Sequence, residues 1–258
     1  MSVTTTAPAS RAELVARVQR RATRRAARSM LVPSLVVGLS FWAFVTVAAA
    51  AVPVVVDRFG GHMDVGVLVA AEYSARWFAF TLGVITCSII LATHLAAGGT
   101  RRALRDAALI TAGVTGPAYG VLHAIALLVE RGTFRAVGWT WPRPEGGLVT
   151  GDAGIWPTAG AEALVVVVYV LVGCAVAVGY LVDGVGRGTL HLVPALALLG
   201  LAELSTRSGW AVDLLGGFLP AEGPGTIAVG MAGAAVAIVL SAAWLHLRLR
   251  TLRLRPTR

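Results

Sequence analysis

The stretch Ala96-Ala97-Gly98-Gly99-Thr100-Arg101-Arg102-Ala103-Leu104-Arg105-Asp106 decides how the rest of the chain is read. It is a short, strongly basic hairpin closed on both sides by long apolar runs. Gly98 and Gly99 stand where a helix would end, because glycine tolerates the left-handed backbone that terminates one. Thr100 can then cap the next helix, its hydroxyl taking an orphan N–H. In that helix Arg101 and Arg105 lie one turn apart, and Arg102 faces Asp106 at i,i+4. With the base before the acid, such a pair contributes only tenths of a kcal/mol. Three arginines between two lipid-soluble helices place the hairpin on the cytoplasmic side of a membrane.

Composition agrees with a bilayer as solvent. Of 258 residues 57% are hydrophobic before the 30 glycines are counted, and mean hydropathy is +0.77. Soluble domains reach only about 45–50% apolar with glycine included. Two soluble domains would fit the length, but about six spans use the same chain as one integral domain. All 22 basic residues are arginine. Without lysine there is neither a P-loop nor a Schiff base, so any nucleotide hydrolysis must come from another polypeptide. The all-Arg, Ala/Gly/Val-rich usage points to a GC-rich bacterial genome.

The net charge of +9 raises nucleic acid as a partner, but its distribution excludes that reading. Arginines gather at the two ends and in the short loops between apolar runs. Cys87 and Cys174 fall inside apolar runs and read as small buried hydrophobes rather than a disulfide.

In order, residues 1–9 are small and polar and read as a disordered start. Ser10 and Glu13 then fit a capping box. The helix it opens sets Val15, Val18, Ala22 and Ala26 on one face and Arg17, Arg20, Arg21, Arg24, Arg25 and Arg28 over the other. Such a helix suits the interface of an anionic leaflet. Six spans follow at 31–56, 75–97, 107–129, 161–182, 189–204 and 226–247. The first is too long for a signal-peptide core. Arg76 and Trp77 open the second as interfacial anchors. The third holds Gly116-Pro117-Ala118-Tyr119-Gly120, where Pro117 predicts a kink and Gly116 and Gly120 allow a neighbouring helix to come close. Loops at 57–74 and 130–160 lie outside, the latter with Trp139, Trp141 and Trp156 among prolines. Residues 205–225 read as a broken apolar hairpin. The domains are then 1–30 (start and basic interfacial helix), 31–247 (transmembrane bundle) and 248–258 (basic tail). Sixteen arginines against three acids (Glu13, Asp106, Asp183) fall on the inner side, and six against ten on the outer, which puts both termini in the cytoplasm.

Candidate chemistry is sparse. His94 and His191 approach the inner interface and could face one another, but His123 is more than a leaflet away. No further ligand completes a metal set, so packing histidines are the reading and no metal is expected. HExxH and GxSxG are both missing. Asp183, Gly184 and Arg187 only approximate an alcohol-phosphatidyltransferase signature, the arginine one position early and the further acids lacking. Glu130, Glu162 and Glu203 fall near span ends and read as solvated termini. No catalytic residue is assigned.

The layout of a basic helix, six spans, a Gly99-Thr100-Arg101-Arg102 hairpin and a broken apolar hairpin resembles the membrane subunit of a type-2 ABC transporter, the bacterial exporter class. The resemblance implies an all-α permease subunit in the plasma membrane, exporting a hydrophobic or amphipathic substrate. Residues 100–107 would be the coupling helix on a separate ATPase, with Gly99, Thr100, Arg101, Arg102 and Arg105 engaging it. Residues 11–28 would be the connecting helix and 207–223 a re-entrant segment. It further implies a homodimer or pseudo-dimer, with ATP and Mg on the partner subunit and no cofactor here. The competing expectation is a non-transporting accessory or assembly protein whose arginine-rich face binds anionic membrane lipid.

Overall fold

The computed structural model describes residues 11–141, 155–216 and 226–251, and these are helical throughout apart from short turns. The helices are α1 (Arg11–Arg58), α2 (Val67–Ala96), α3 (Arg101–Ala136), α4 (Ile155–Thr189), α5 (Leu192–Thr206), α6 (Trp210–Leu215) and α7 (Thr226–Thr251). Five of them, α1, α2, α3, α4 and α7, are long and apolar enough to cross a membrane, the build of a multi-pass membrane protein. Ser10 at the first cap, residues 142–154 and 217–225, and the tail beyond 251 lie outside the described residues.

Three boundaries differ from the sequence reading. No break separates a basic helix from the first span: α1 runs unbroken for 48 residues through Pro33 and Pro53, about 72 Å at 1.5 Å per residue. Ala26, Ala27 and Met30 are buried there, so packing holds the helix through the point where charge gives way to apolar sequence. Second, α2 begins eight residues before the apolar window and α4 six residues before it. Third, the fifth span is α5, only 15 residues long, about 22 Å against a hydrocarbon core of about 30 Å. It starts after a two-residue turn from α4 and is followed at once by α6.

Helix α4 is the axis of the bundle. Its most apolar window is 78% buried, against 22% for α1 and for α7. A helix apolar all round belongs in such a core. Glycines let α2 and α3 approach it backbone to backbone. A Cβ on Gly83 would lie 2.5 Å from the Val170 carbonyl oxygen, and Gly173 meets Phe80 from the other side. On α3, a Cβ on Gly116 would lie 2.5 Å from the Ala163 carbonyl oxygen, and Gly120 sits equally close to Ala159. Pro117 stands between them inside a continuous α3. Around this axis α1 packs along α3, where Trp42 meets Tyr119 edge-on and stacks on His123. Helix α7 covers α4 and α5 with Ala234, Ala237, Ser241, Leu245 and Leu249, one face at helical spacing. Cys87 and Cys174 are both buried and free.

Because Gly173 has no room for a methyl group, Gly173→Ala should lower stability by about 1–3 kcal/mol, the usual cost of overpacking. Gly132→Ala on the exposed side of α3, where nothing lies within 4 Å, should be neutral or stabilising by under about 1 kcal/mol. Thermal unfolding of the two variants in the same detergent checks the contrast.

Candidate functional site

The hairpin forms from the residues that sequence alone assigns to it. Gly98 adopts φ +77°, and the Gly98 and Gly99 amides donate to the carbonyls of Leu95 and His94 at 3.0 and 2.8 Å, ending α2. Thr100 caps α3, its hydroxyl oxygen accepting from the Ala103 amide at 3.0 Å. The same hydroxyl donates to Gln19 Oε1 of α1 at 2.8 Å. Arg101 donates to the Arg250 carbonyl of α7 at 3.2 Å. Three helices are thereby tied at one turn. Asp106 does not pair with Arg102. Arg105 folds onto it instead, at 2.6 and 2.9 Å, leaving Arg102 exposed. His94 bonds the Thr100 carbonyl oxygen within the hairpin, whereas His191 pairs with Asp183 at 2.6 Å, so the two histidines have separate partners. Arg248 of α7 shares Asp183, and Gly184 with φ +76° turns the chain beside it. On α1, Arg17, Arg20, Arg21, Arg24 and Arg28 are all exposed. The apolar face anticipated for that segment is divided: Ala26 is buried, whereas Val15 and Val18 are exposed.

The largest correction lies at the other end of the bundle. Arg76 is no interfacial anchor, and Glu130, Glu162 and Glu203 are not solvated termini. All four are at most 2% exposed. The longer α2 and α4 carry Arg76 and Glu162 inside the bundle: Arg76 is nine residues into α2, about 14 Å from its start. Its Nε and Nη2 donate to Glu162 Oε2 of α4 at 2.9 and 2.7 Å. Nη2 also bonds Glu72, one turn earlier on α2, and Ser208 Oγ at 3.0 Å. Nη1 lies 3.6 Å from Glu203 Oε1 of α5. Glu203 in turn accepts the Tyr169 hydroxyl at 2.5 Å and the Ala211 amide of α6 at 3.0 Å. Trp210 Nε1 closes the group by donating to Tyr169 Oη at 3.3 Å. Gly209, at φ +83°, leaves no space for a side chain beside Glu203 and Arg76.

Three helices and the turn before α6 therefore converge on one guanidinium, with three carboxylates around it. An ionisable group within a membrane-spanning helix carries a functional presumption, since it is costly unless paired and used. The planar fork of arginine can hold two carboxylates at once in a fixed geometry. Glu162 keeps one oxygen, Oε1, buried without a hydrogen-bond partner among the described residues, as does Arg76 Nη1. The cluster thus has spare bonding capacity for a second arrangement. Glu130 has a different task. Its carboxylate accepts the Leu68 amide at 3.1 Å and the Trp141 indole N–H at 3.0 Å, so α3 supplies the cap that Gly66 cannot give α2. The one sequence signal for the cluster was Glu72-x-x-x-Arg76, the i,i+4 spacing of a helical ion pair. Among the described residues no group of three or more His, Cys, Asp or Glu is placed to hold a metal.

Removing the guanidinium leaves buried carboxylates without a counter-charge. Arg76→Leu should cost about 3–5 kcal/mol, and adding Glu162→Leu should restore part of that loss. Denaturation of the single and double variants in detergent measures both. Compared with family models, with curated proteins and with solved structures, the chain matches none.

Proposed function

We propose that this chain is the permease subunit of a type-2 ABC exporter of the bacterial plasma membrane. In this reading six spans are completed by the short α5, with both termini cytoplasmic. The chain works as a dimer and is moved by a separate ATPase that holds ATP and Mg. The substrate is hydrophobic or amphipathic, in keeping with a bundle whose deeply buried ionic groups among the described residues are confined to the Arg76 cluster and Glu130. The observation that carries the proposal is that α2 joins the arginine hairpin to that cluster. Ala96 and Arg76 are 20 residues apart on one helix, about 30 Å.

Closure of the ATPase would press on residues 100–107. The load passes to α1 through Thr100 and Gln19, and to α7 through Arg101 and the Arg250 carbonyl. Helix α2, a rod without proline, would then shift Arg76 relative to Glu162 on α4 and Glu203 on α5. Packed helices exchange between discrete arrangements rather than deforming continuously. A redistribution of the guanidinium between its carboxylates is such an exchange, and it would loosen α6 through Ser208 and the Ala211 amide. Transport on this account needs no bond-making chemistry in this chain.

Reversing the exposed charges with Arg101→Glu and Arg102→Glu should abolish co-purification of an ATPase encoded beside this chain and reduce coupled ATP turnover at least tenfold. The unfolding temperature should stay within a few degrees. Unchanged co-purification and turnover would overturn the proposal. Orientation has its own check. Ala97→Cys should react with a membrane-impermeant maleimide in inside-out vesicles and not in intact cells, against a low background because both native cysteines are buried.

A further inference from the structure

Between the first turns of α1 and the start of α3 runs an open groove of about 990 Å³. Its rim carries Arg11, Arg20, Arg24 and Arg102, and Val15 and Ile110 contribute an apolar lining. The single carboxylate at the groove, Asp106, is engaged by Arg105. Among the described residues Arg20, Arg24 and Arg102 form no ion pair, so the groove has a surplus of positive charge facing inward from two helices. Gln19 also lines the groove, its Oε1 accepting the Thr100 hydroxyl.

The groove does not end in polar surface. Ile110 begins an exposed apolar stripe along α3, continued by Val114, Val121, Ile125 and Leu128. These residues recur at helical spacing, and they run into the segment long and apolar enough to cross the membrane. From Arg102 to Ile110 is eight residues, about 12 Å. That is the scale over which a lipid passes from its headgroup to its acyl chains. A docked peptide would use the arginines but would have no use for a stripe descending into hydrocarbon.

We propose that this groove binds one anionic phospholipid. Its phosphodiester sits on Arg20, Arg24 and Arg102, and one acyl chain lies along Ile110 and Val114. Arginine suits the headgroup because its fork donates two parallel hydrogen bonds to phosphate oxygens. The occupant would brace α1 against α3 beside the hairpin. The inference does not rest on the permease reading, since it concerns a lipid site present whether or not a motor docks.

The test uses the full chain in neutral detergent micelles, where no bulk membrane potential attracts every arginine alike. A fluorescent short-chain phosphatidylglycerol is the probe. The triple variant Arg20→Gln/Arg24→Gln/Arg102→Gln should weaken its binding about 100-fold, the loss expected of three arginines close to an anionic headgroup. The equal-charge control Arg17→Gln/Arg21→Gln/Arg28→Gln, outside the groove, should change it less than about threefold. Unlabelled phosphatidylglycerol should displace the probe, and phosphatidylcholine and inorganic phosphate should not. Equal losses in the two triple variants would overturn the site in favour of diffuse charge. Displacement by inorganic phosphate at comparable concentration would reduce it to an anion site without a lipid. Displacement by an acidic helical peptide but not by the unlabelled lipid would assign the groove to a protein partner. Ile110→Glu, which leaves every arginine in place, should weaken the lipid at least tenfold, and an unchanged affinity would overturn the acyl-chain placement. Matching unfolding temperatures without lipid show that the variants remain folded.

Discussion

A guanidinium cannot be left alone in the interior of a bundle, and the far end of this protein is arranged around that constraint. Arg76 is 2% exposed. In a low-dielectric setting its charge must be met by acids at hydrogen-bonding distance. No single helix can provide them. Glu72 comes from its own helix, Glu162 from α4 and Glu203 from α5, with Ser208 and the Ala211 amide bringing α6 against the same group. The positions of α5 and α6 follow. The 15-residue α5 ends where Glu203 reaches Arg76, and α6 begins where its amide can bond Glu203.

The opposite end is held differently. There the ties are single hydrogen bonds from exposed residues, Thr100 to Gln19 and Arg101 to the Arg250 carbonyl, with the Asp183, His191 and Arg248 group alongside. Exposed pairs of this kind contribute about 0–1 kcal/mol each, whereas breaking a buried pair costs several. The polar ties are therefore buried and charged at the Arg76 end and weaker at the hairpin end, where packing of Leu104, Leu245 and Leu249 joins them. Between the ends the helices are joined by small residues rather than charge: Gly83, Gly173, Gly116 and Gly120 place carbonyl oxygens against backbone, the mode by which helices associate where lipid removes the hydrophobic drive.

This division explains which parts of the structure could be read from sequence. The hairpin was legible because glycine and threonine there act locally: the left-handed Gly98 and the Thr100 cap depend on neighbours within four residues. The long apolar helices were legible because hydropathy is a property of a window. The close approach at Gly116 and Gly120 followed from small residues one turn apart. Arg76 and Glu162 were misplaced because a hydropathy window stops at the first charges, whereas a helix stops only where its backbone loses its bonds. Val67 to Ser74 and Ile155 to Gly160 continue as helix beyond the apolar core, carrying the charges inward. Their pairing is long-range, spanning 86 residues between Arg76 and Glu162, and no local pattern encodes it. Continuity of α1 was hidden for the reverse reason. The switch from arginine to apolar residues near Met30 looks like a boundary, but Ala26, Ala27 and Met30 pack on one buried face and carry the helix through it.

The two ends meet in α2, and its sequence suits a rigid link. It has no proline, its one charged pair is the Glu72–Arg76 turn, and Gly83 allows it to press against α4 near its middle. A rod pivoting on a close backbone contact moves its two ends in opposite senses. The Gly83–Val170 contact lies seven residues from Arg76 and thirteen from Ala96, about 10 and 20 Å along the axis. In the proposed mechanism, displacement at the hairpin would be delivered to Arg76 at roughly half its size. A motion of 2 Å at the hairpin becomes about 1 Å at the guanidinium, comparable with the difference between the 2.7 Å bond to Glu162 and the 3.6 Å approach to Glu203. Hydrogen bonds weaken sharply over such a range. In the proposed mechanism a small push at the exposed end would change which carboxylate holds Arg76, while the pivot itself stays packed.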